Sequence, residues 1–188
     1  MKDRNDGKIN TIDKKIHNNL IISNTTGGNP VDTCLKYSPT VLLFFLDRQG
    51  FQTKNSFKSQ VLKLLIGGII LEAASSALKH IVKRVRPNGE PYSFPSSHTG
   101  TCILGAELLH AELKENYPAL SSSGYVLAVI TALLRMYHNK HWFSDVVSGA
   151  LLGFIAFHLS SNIMADRRLE SVFKEKEPFQ SLFTIIAH

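Results

Sequence analysis

Four apolar stretches of helical length, separated by proline, glycine and asparagine breakers, restrict what this chain can fold into. They run from about Ser56 to Lys83, from Ser96 or Ser97 to about Leu113, from about Ser121 to Tyr137, and from Phe143 to about Met164. In the first, Val61, Leu64, Leu65, Ile69 and Leu71 supply an apolar surface at helical spacing. Ser56 and the Ser96-Ser97 pair are suitable N-caps. Pro87-Asn88-Gly89 and Asn116-Tyr117-Pro118 end helices, and Pro87, Pro91 and Pro95 punctuate a loop. No segment of useful length alternates apolar and polar residues, and there is no internal repeat. The expected fold is therefore all-α, a helical bundle.

The flanks are of a different kind. Residues 1–36 are polar with alternating charge and contain the turn-rich stretch Asn24–Pro30, which reads as a mobile or loosely docked arm. They have no apolar core segment followed by a cleavage site, so no signal peptide is expected. A short apolar run, Tyr37 to Leu46, precedes the bundle, and a charged tail ends in the apolar stretch Leu182 to Ala187. With 188 residues, 44% of them hydrophobic and 19% charged, the chain can bury one domain core and is not disordered. The net charge of +6 points to an anionic partner. Cys34 and Cys102 make no disulfide framework, and Cys102 is expected to be a small core residue.

Composition leaves two settings open. A spanning helix needs about 20 mostly apolar residues, and only Val146–Met164 and Pro118–Leu134 come near that. Glu107, His110 and Glu112 would be costly in lipid, as would Lys63 and Glu72. A soluble helical domain and a compact membrane enzyme with short, tilted helices both fit.

Three polar clusters fall at helix ends. Lys79 and Arg86-Pro87 lie about two helical turns apart, on one face, with Lys83 and Arg84 nearby. Pro95-Ser96-Ser97-His98 opens a helix, where exposed backbone N–H groups can hold an anion and a histidine can act as a proton donor. Arg135, His141 and Asp145 form the third. His141 and Asp145 are four residues apart, so a carboxylate can fix the imidazole tautomer, and a turn at about His138 to Lys140 would bring Arg135 alongside. Taken singly, each has an ordinary structural explanation: a solvated basic helix end, a serine N-cap, a surface His–Asp pair. Together they supply what phosphoryl transfer to a histidine requires: fixed cations, an anion nest, an acid and an oriented nucleophile.

In order and internal spacing, these clusters resemble the three motifs of the type 2 phosphatidic acid phosphatase and vanadium haloperoxidase superfamily: Lys-x6-Arg-Pro, Pro-Ser-x-His and Arg-x5-His-x3-Asp. The motifs span Lys79 to Asp145, and the similar helix pattern covers about residues 37–165. The resemblance implies that Lys79, Arg86 and Arg135 hold phosphate oxygens, with Ser96 donating from its side chain and Ser97 from its backbone N–H. It implies His98 as general acid, His141 as nucleophile and Asp145 as its orienter, with no cofactor and no metal. Ser97 stands where the family most often has glycine, and Leu134 where a small residue is usual. The implied layout is a polar arm over 1–36, a catalytic domain over 37–168 and a tail over 169–188, with the active site at one end of a membrane-embedded or membrane-associated bundle.

The expected activity is metal-independent hydrolysis of lipid phosphate monoesters or pyrophosphates through a phosphohistidine. The alternatives are a soluble nonspecific acid phosphatase of the same fold, or a vanadate-dependent haloperoxidase, a subgroup that is usually much longer. A basic module binding nucleic acid would account for the charge but not for the ordered His and Asp spacing, so no nucleic-acid partner is expected. His80, His110, His138 and His158 match no motif position, and no Cys/His spacing suggests zinc. The distribution of lysine and arginine slightly favours an extracytoplasmic active site.

Overall fold

The computed structural model describes residues 9–20 and 30–165. The turn-rich stretch up to Asn29 and the C-terminal tail lie outside the described residues. The described chain forms α1 (Thr11–Asn19), α2 (Pro30–Leu35), α3 (Ser38–Arg48), α4 (Phe57–Val82), α5 (Ser97–Leu113), α6 (Pro118–Tyr137) and α7 (Phe143–Ala165), and it contains no strand. The architecture is an all-α bundle.

Local chemistry sets the boundaries. The Ser56 hydroxyl accepts from the Ser59 N–H at 3.5 Å and opens α4, which ends where Lys83 turns left-handed at φ 51°. Ser96 is the N-cap of α5, its hydroxyl accepting from the Thr99 N–H. α6 starts at Pro118, earlier than the serine run suggests. Proline suits the first turn because its missing N–H would lack a helical partner there. Ser121 is instead buried one turn in, its hydroxyl donating to the Pro118 carbonyl at 2.8 Å.

α5 is the central helix. Cys102, Ala106, Leu108, Leu109 and Leu113 are fully buried along it, surrounded by α3, α4, α6 and α7. Leu43 and Leu46 of α3, Leu71 of α4, and Ala156 and Phe157 of α7 complete the core. This position resolves the cost of the α5 acids. Glu107 accepts from the Tyr125 hydroxyl at 2.9 Å, and Glu112 accepts from the Asn55 N–H at 2.7 Å and from Lys63 at 3.3 Å. They face protein rather than lipid.

Among the described residues, three helices are long and apolar enough to cross a membrane: α4, α6 and α7. α4 joins the two helices expected from sequence although it carries Lys63 and Glu72. Its 26 residues rise about 39 Å, so Lys63 sits towards one end, where Glu112 pairs with it. Leu65, Ile69 and Ile81 of α4, Val126 and Val129 of α6, and Val147 and Leu151 of α7 point outward and are exposed. An outward apolar surface of this extent is what a lipid-facing bundle presents.

α5 and α7 meet backbone to backbone. A Cβ on Gly153 would stand 2.2 Å from the Gly100 carbonyl oxygen, and one on Gly149 2.3 Å from that of Ser96. Neither helix can yield without moving a motif residue. Gly153→Ala should therefore lower Tm, with an overpacking cost of about 1–3 kcal/mol. Gly68→Ala, whose added Cβ meets nothing within 4 Å, should be neutral or stabilising. Thermal unfolding of both variants in detergent checks this; equal shifts would contradict the close contact.

Candidate active site

α4 and α6 end, and α5 and α7 begin, at the same end of the bundle. Lys79 lies in the last turn of α4, and Arg86 in the loop that follows. His98 is in the first turn of α5, and Arg135 in the last turn of α6. The chain then reverses through His138–Lys140, with Asn139 left-handed at φ 57°, and the Lys140 N–H donates to the Arg135 carbonyl at 3.0 Å. His141 follows two residues before α7. A direct backbone bond, from the Ser96 N–H to the Asp145 carbonyl at 3.0 Å, ties the second cluster to the third.

One cavity of about 600 Å³ collects most of these groups: Lys79, Arg86, Ser97, His98, Arg135 and His141 all line it. The remaining two sequence candidates lie behind its wall. Ser96 is fully buried, and its hydroxyl faces Thr99, with the two oxygens 3.0 Å apart. The hydroxyl at the cavity belongs to Ser97, which accepts from Lys79 Nζ at 2.7 Å and keeps its own proton for a ligand. Asp145 is also fully buried. It accepts from the Trp142 N–H at 2.8 Å, from the Ser93 hydroxyl and from Arg84 at 2.7 Å, and its Oδ2 stands 3.7 Å from His141 Nδ1. That separation is longer than a hydrogen bond, as is common for such pairs before a substrate tightens the site.

Within the N-terminal stretch, the described residues 9–20 and 30–36 pack against the bundle. α1 and α2 each place one buried aspartate behind the site. Asp13 accepts from the Ser144 N–H at 2.8 Å, from the Ser144 hydroxyl at 2.7 Å and from Arg84 at 2.5 Å. Asp32 accepts from Arg135 at 2.9 Å and lies 3.0 Å from His138 Nδ1. The partners are 71 to 131 residues away for Asp13 and just over 100 for Asp32, so no local pattern shows them. Lys36 and Tyr37, beside α2, also line the cavity.

The cavity has two characters. Its polar end holds the cations and imidazoles. Leu64, Gly68, Leu71 and Leu104 line the rest, with Glu72 near the transition. Burial, with the Arg135, Lys36 and His141 charges beside it, holds His98 down at about 3, against the opposing pull of Asp32. Burial likewise lowers His141 to about 4, with Arg135 and Arg86 assisting and Asp145 opposing. Both imidazoles are therefore neutral at neutral pH. Among the described residues no group of three or more His, Cys, Asp or Glu side chains could hold a metal ion.

An anion entering this end reverses the balance, because negative charge favours the imidazolium. Binding of sulfate, which does not titrate near neutrality, should therefore draw up to about one proton from solution at pH 7. Calorimetry in two buffers of different ionisation enthalpy measures this uptake, and His98→Gln should remove most of it. Sulfate binding with no proton uptake by the unaltered protein would contradict the charge balance described.

The chain is similar to known proteins in sequence and in fold. The family model described as "PAP2 superfamily" matches residues 60–169. A lipid A 1-phosphatase of Porphyromonas gingivalis is 34% identical over 122 residues, covering 63% of this chain and 27% of that protein. A phosphatidylglycerophosphatase B of Bacillus subtilis is 30% identical over 98 residues, covering 45% of this chain and 48% of that protein. The chain thus matches about a quarter to a half of the length of these curated relatives. Two crystal structures have the same fold. Aquifex aeolicus LpxE superposes with a TM-score of 0.56 at 20% identity, covering 80% of this chain and 93% of that one. The first transmembrane PAP2-type phosphatidylglycerolphosphate phosphatase from Bacillus subtilis gives 0.57 at 21%, covering 89% and 87%. The matched family model spans more than half of the chain, including all three motifs, and on that ground the chain belongs to the PAP2 superfamily.

Proposed function

We propose that this protein is a membrane-embedded lipid phosphatase that hydrolyses phosphate monoesters or pyrophosphates through a phosphohistidine on His141. The observation that carries the reading is the two-sided cavity. Cations and imidazoles gather at one end, and the apolar α4 surface of Leu64, Gly68 and Leu71 continues from it. A soluble phosphate ester would use only the polar end. A lipid phosphate uses both, and the outward apolar faces of α4, α6 and α7 support a setting in the bilayer that holds such substrates. The relatives' names add phosphatidylglycerol phosphate and lipid A phosphate as candidate substrates.

The chemistry follows from the placement of each group. Lys79, Arg86 and Arg135 neutralise the phosphoryl oxygens, so no metal is needed for that task, and Ser97 adds a hydroxyl donor. Asp145 faces Nδ1 of His141, which leaves the Nε2 lone pair to attack phosphorus. As the N–P bond forms, the ester P–O bond breaks, and His98, protonated alongside the bound dianion, gives its proton to the leaving oxygen. His98 then takes a proton from water, which attacks the phosphohistidine, releasing phosphate and restoring His141. Ser96 serves by capping the helix that presents Ser97 and His98. Arg48, Lys54, Lys58 and Lys114 lie towards the opposite end, whereas the cations at the site end are mostly committed to phosphate, a bias that slightly favours an extracytoplasmic active site.

The two histidines separate by leaving group. His141→Ala should abolish turnover of every substrate. His98→Ala removes only the acid, a loss of about 10²–10⁴-fold for a lipid alkoxide and much less for p-nitrophenolate. Measuring kcat/KM of both variants on both substrates in detergent, with folding confirmed by circular dichroism, decides it. Equal losses for His98→Ala on the two substrates, or retained activity in His141→Ala, would contradict the assignment.

A further inference from the structure

Asp145, which faces His141, shares its arginine with a second carboxylate. Arg84 is 4% exposed, and its two terminal amines are divided. Nη1 donates to Asp145 Oδ1 at 2.7 Å and to the Ser144 hydroxyl at 2.6 Å, whereas Nη2 donates to Asp13 Oδ2. Asp13 is 1% exposed and belongs to α1, outside the part of the chain that the family model matches. Its other oxygen holds the Ser144 N–H at the start of α7.

The charge count gives this arrangement a consequence. Arg84 alone with Asp145 would form a neutral pair, and the carboxylate facing His141 would be largely spent on the guanidinium. With Asp13 on the other amine, the buried group of three carries a net negative charge, next to His141 Nδ1. The other groups around His141 do not supply it. Lys79 from α4, Arg86 from the following loop, His98 from α5 and Arg135 from α6 line the same cavity and are cationic or neutral. Lys36 is a further cation, and His17 of α1 lines the small space behind His141. Glu72 sits on the far side of Lys79, Asp32 is engaged by Arg135, and Glu90 by Lys140 at 3.0 Å.

We propose that Asp13 is a positioning residue for phosphoryl transfer: by holding the second amine of Arg84 it leaves Asp145 with the negative charge that orients His141 and sustains its basicity. The N-terminal helix is then part of the catalytic apparatus, and a chain lacking it would have the three motifs but a weakened nucleophile. The proposal rests on the reading of His141 as the nucleophile.

The test uses the full chain in detergent with p-nitrophenyl phosphate as probe. Asp13→Asn should lower kcat about 10-fold with KM within about 2-fold, in the range of second-layer partners of a working histidine. It should also move the acid limb of kcat to lower pH by about half a unit, because less negative charge near His141 disfavours its imidazolium. In an Asp145→Asn background the same change should cost less than about 2-fold, since its route to His141 is already cut. Ile16→Ala, which loosens α1 without touching charge, should lower Tm and leave the acid limb in place. Asp13→Glu keeps the charge and serves as the second variant; its acid limb should stay where it is in the unaltered protein, even if Asp13→Asn does not fold.

An unchanged kcat and acid limb in Asp13→Asn, full additivity with Asp145→Asn, an acid limb displaced by Ile16→Ala as far as by Asp13→Asn, or one displaced by Asp13→Glu would each overturn the proposal and reduce α1 to a packing element. Failure of the underlying reading looks different: His141→Ala would stay active, whatever Asp13 does.

Discussion

The site depends on how closely α5 and α7 approach each other. The Ser96 N–H bonds directly to the Asp145 carbonyl, and Gly149 and Gly153 let the α7 backbone press against the carbonyls of Ser96 and Gly100. Two helix starts are thereby fixed side by side. One presents Ser97 and His98, the other follows His141 and carries Asp145. α4 and α6, running the opposite way, bring Lys79 and Arg135 to the same end. The geometry of the site is a product of backbone contact, which side chains alone could not fix as tightly.

Gathering cations at the end of an apolar bundle costs free energy unless each has a counter-charge or a ligand. The protein meets this cost from the outer elements. Asp32 of α2 holds Arg135, Asp13 of α1 holds Arg84, and Glu90 of the loop pairs with Lys140. Lys79 rests on the Ser97 hydroxyl at the cavity wall. The short N-terminal helices thus stabilise the site without entering the helical frame. Burial is the main cause of the two lowered imidazole pKa values, and the neighbouring cations, Arg135 and Lys36 at His98 and Arg135 and Arg86 at His141, lower them further.

Much of the frame is legible in the sequence, for identifiable reasons. Ser56 and Ser96 act as caps, and the apolar stretches behind them are long, so α4 and α5 stand where periodicity puts them. The motif spacings bring Lys79, Arg86, His98, Arg135 and His141 to one cavity because each motif sits on a helix end, where spacing translates directly into position. Two kinds of feature escape such reading. Pair contacts across 71 to 131 residues, such as those of Asp13, leave no local trace, and a polar N-terminal stretch therefore looks unattached. Single charges can also mislead: Lys63 and Glu72 made α4 look unfit for a membrane, although its length carries Lys63 towards a polar end and Glu72 to a cavity wall. Which serine faces the ligand depends on the cap geometry, which spends the Ser96 hydroxyl on Thr99.

In the proposed mechanism His141 accepts the phosphoryl group covalently. The most direct measurement of this step is rapid alkaline quenching during turnover of a lipid phosphate, followed by peptide mass spectrometry under conditions that preserve N–P bonds. One phosphoryl group should appear on the peptide containing His141, accumulating further when His98 is replaced and an activated leaving group is supplied, because hydrolysis then lacks its base. Turnover with no phosphopeptide in either protein, or with the phosphoryl group on another residue, would contradict the mechanism.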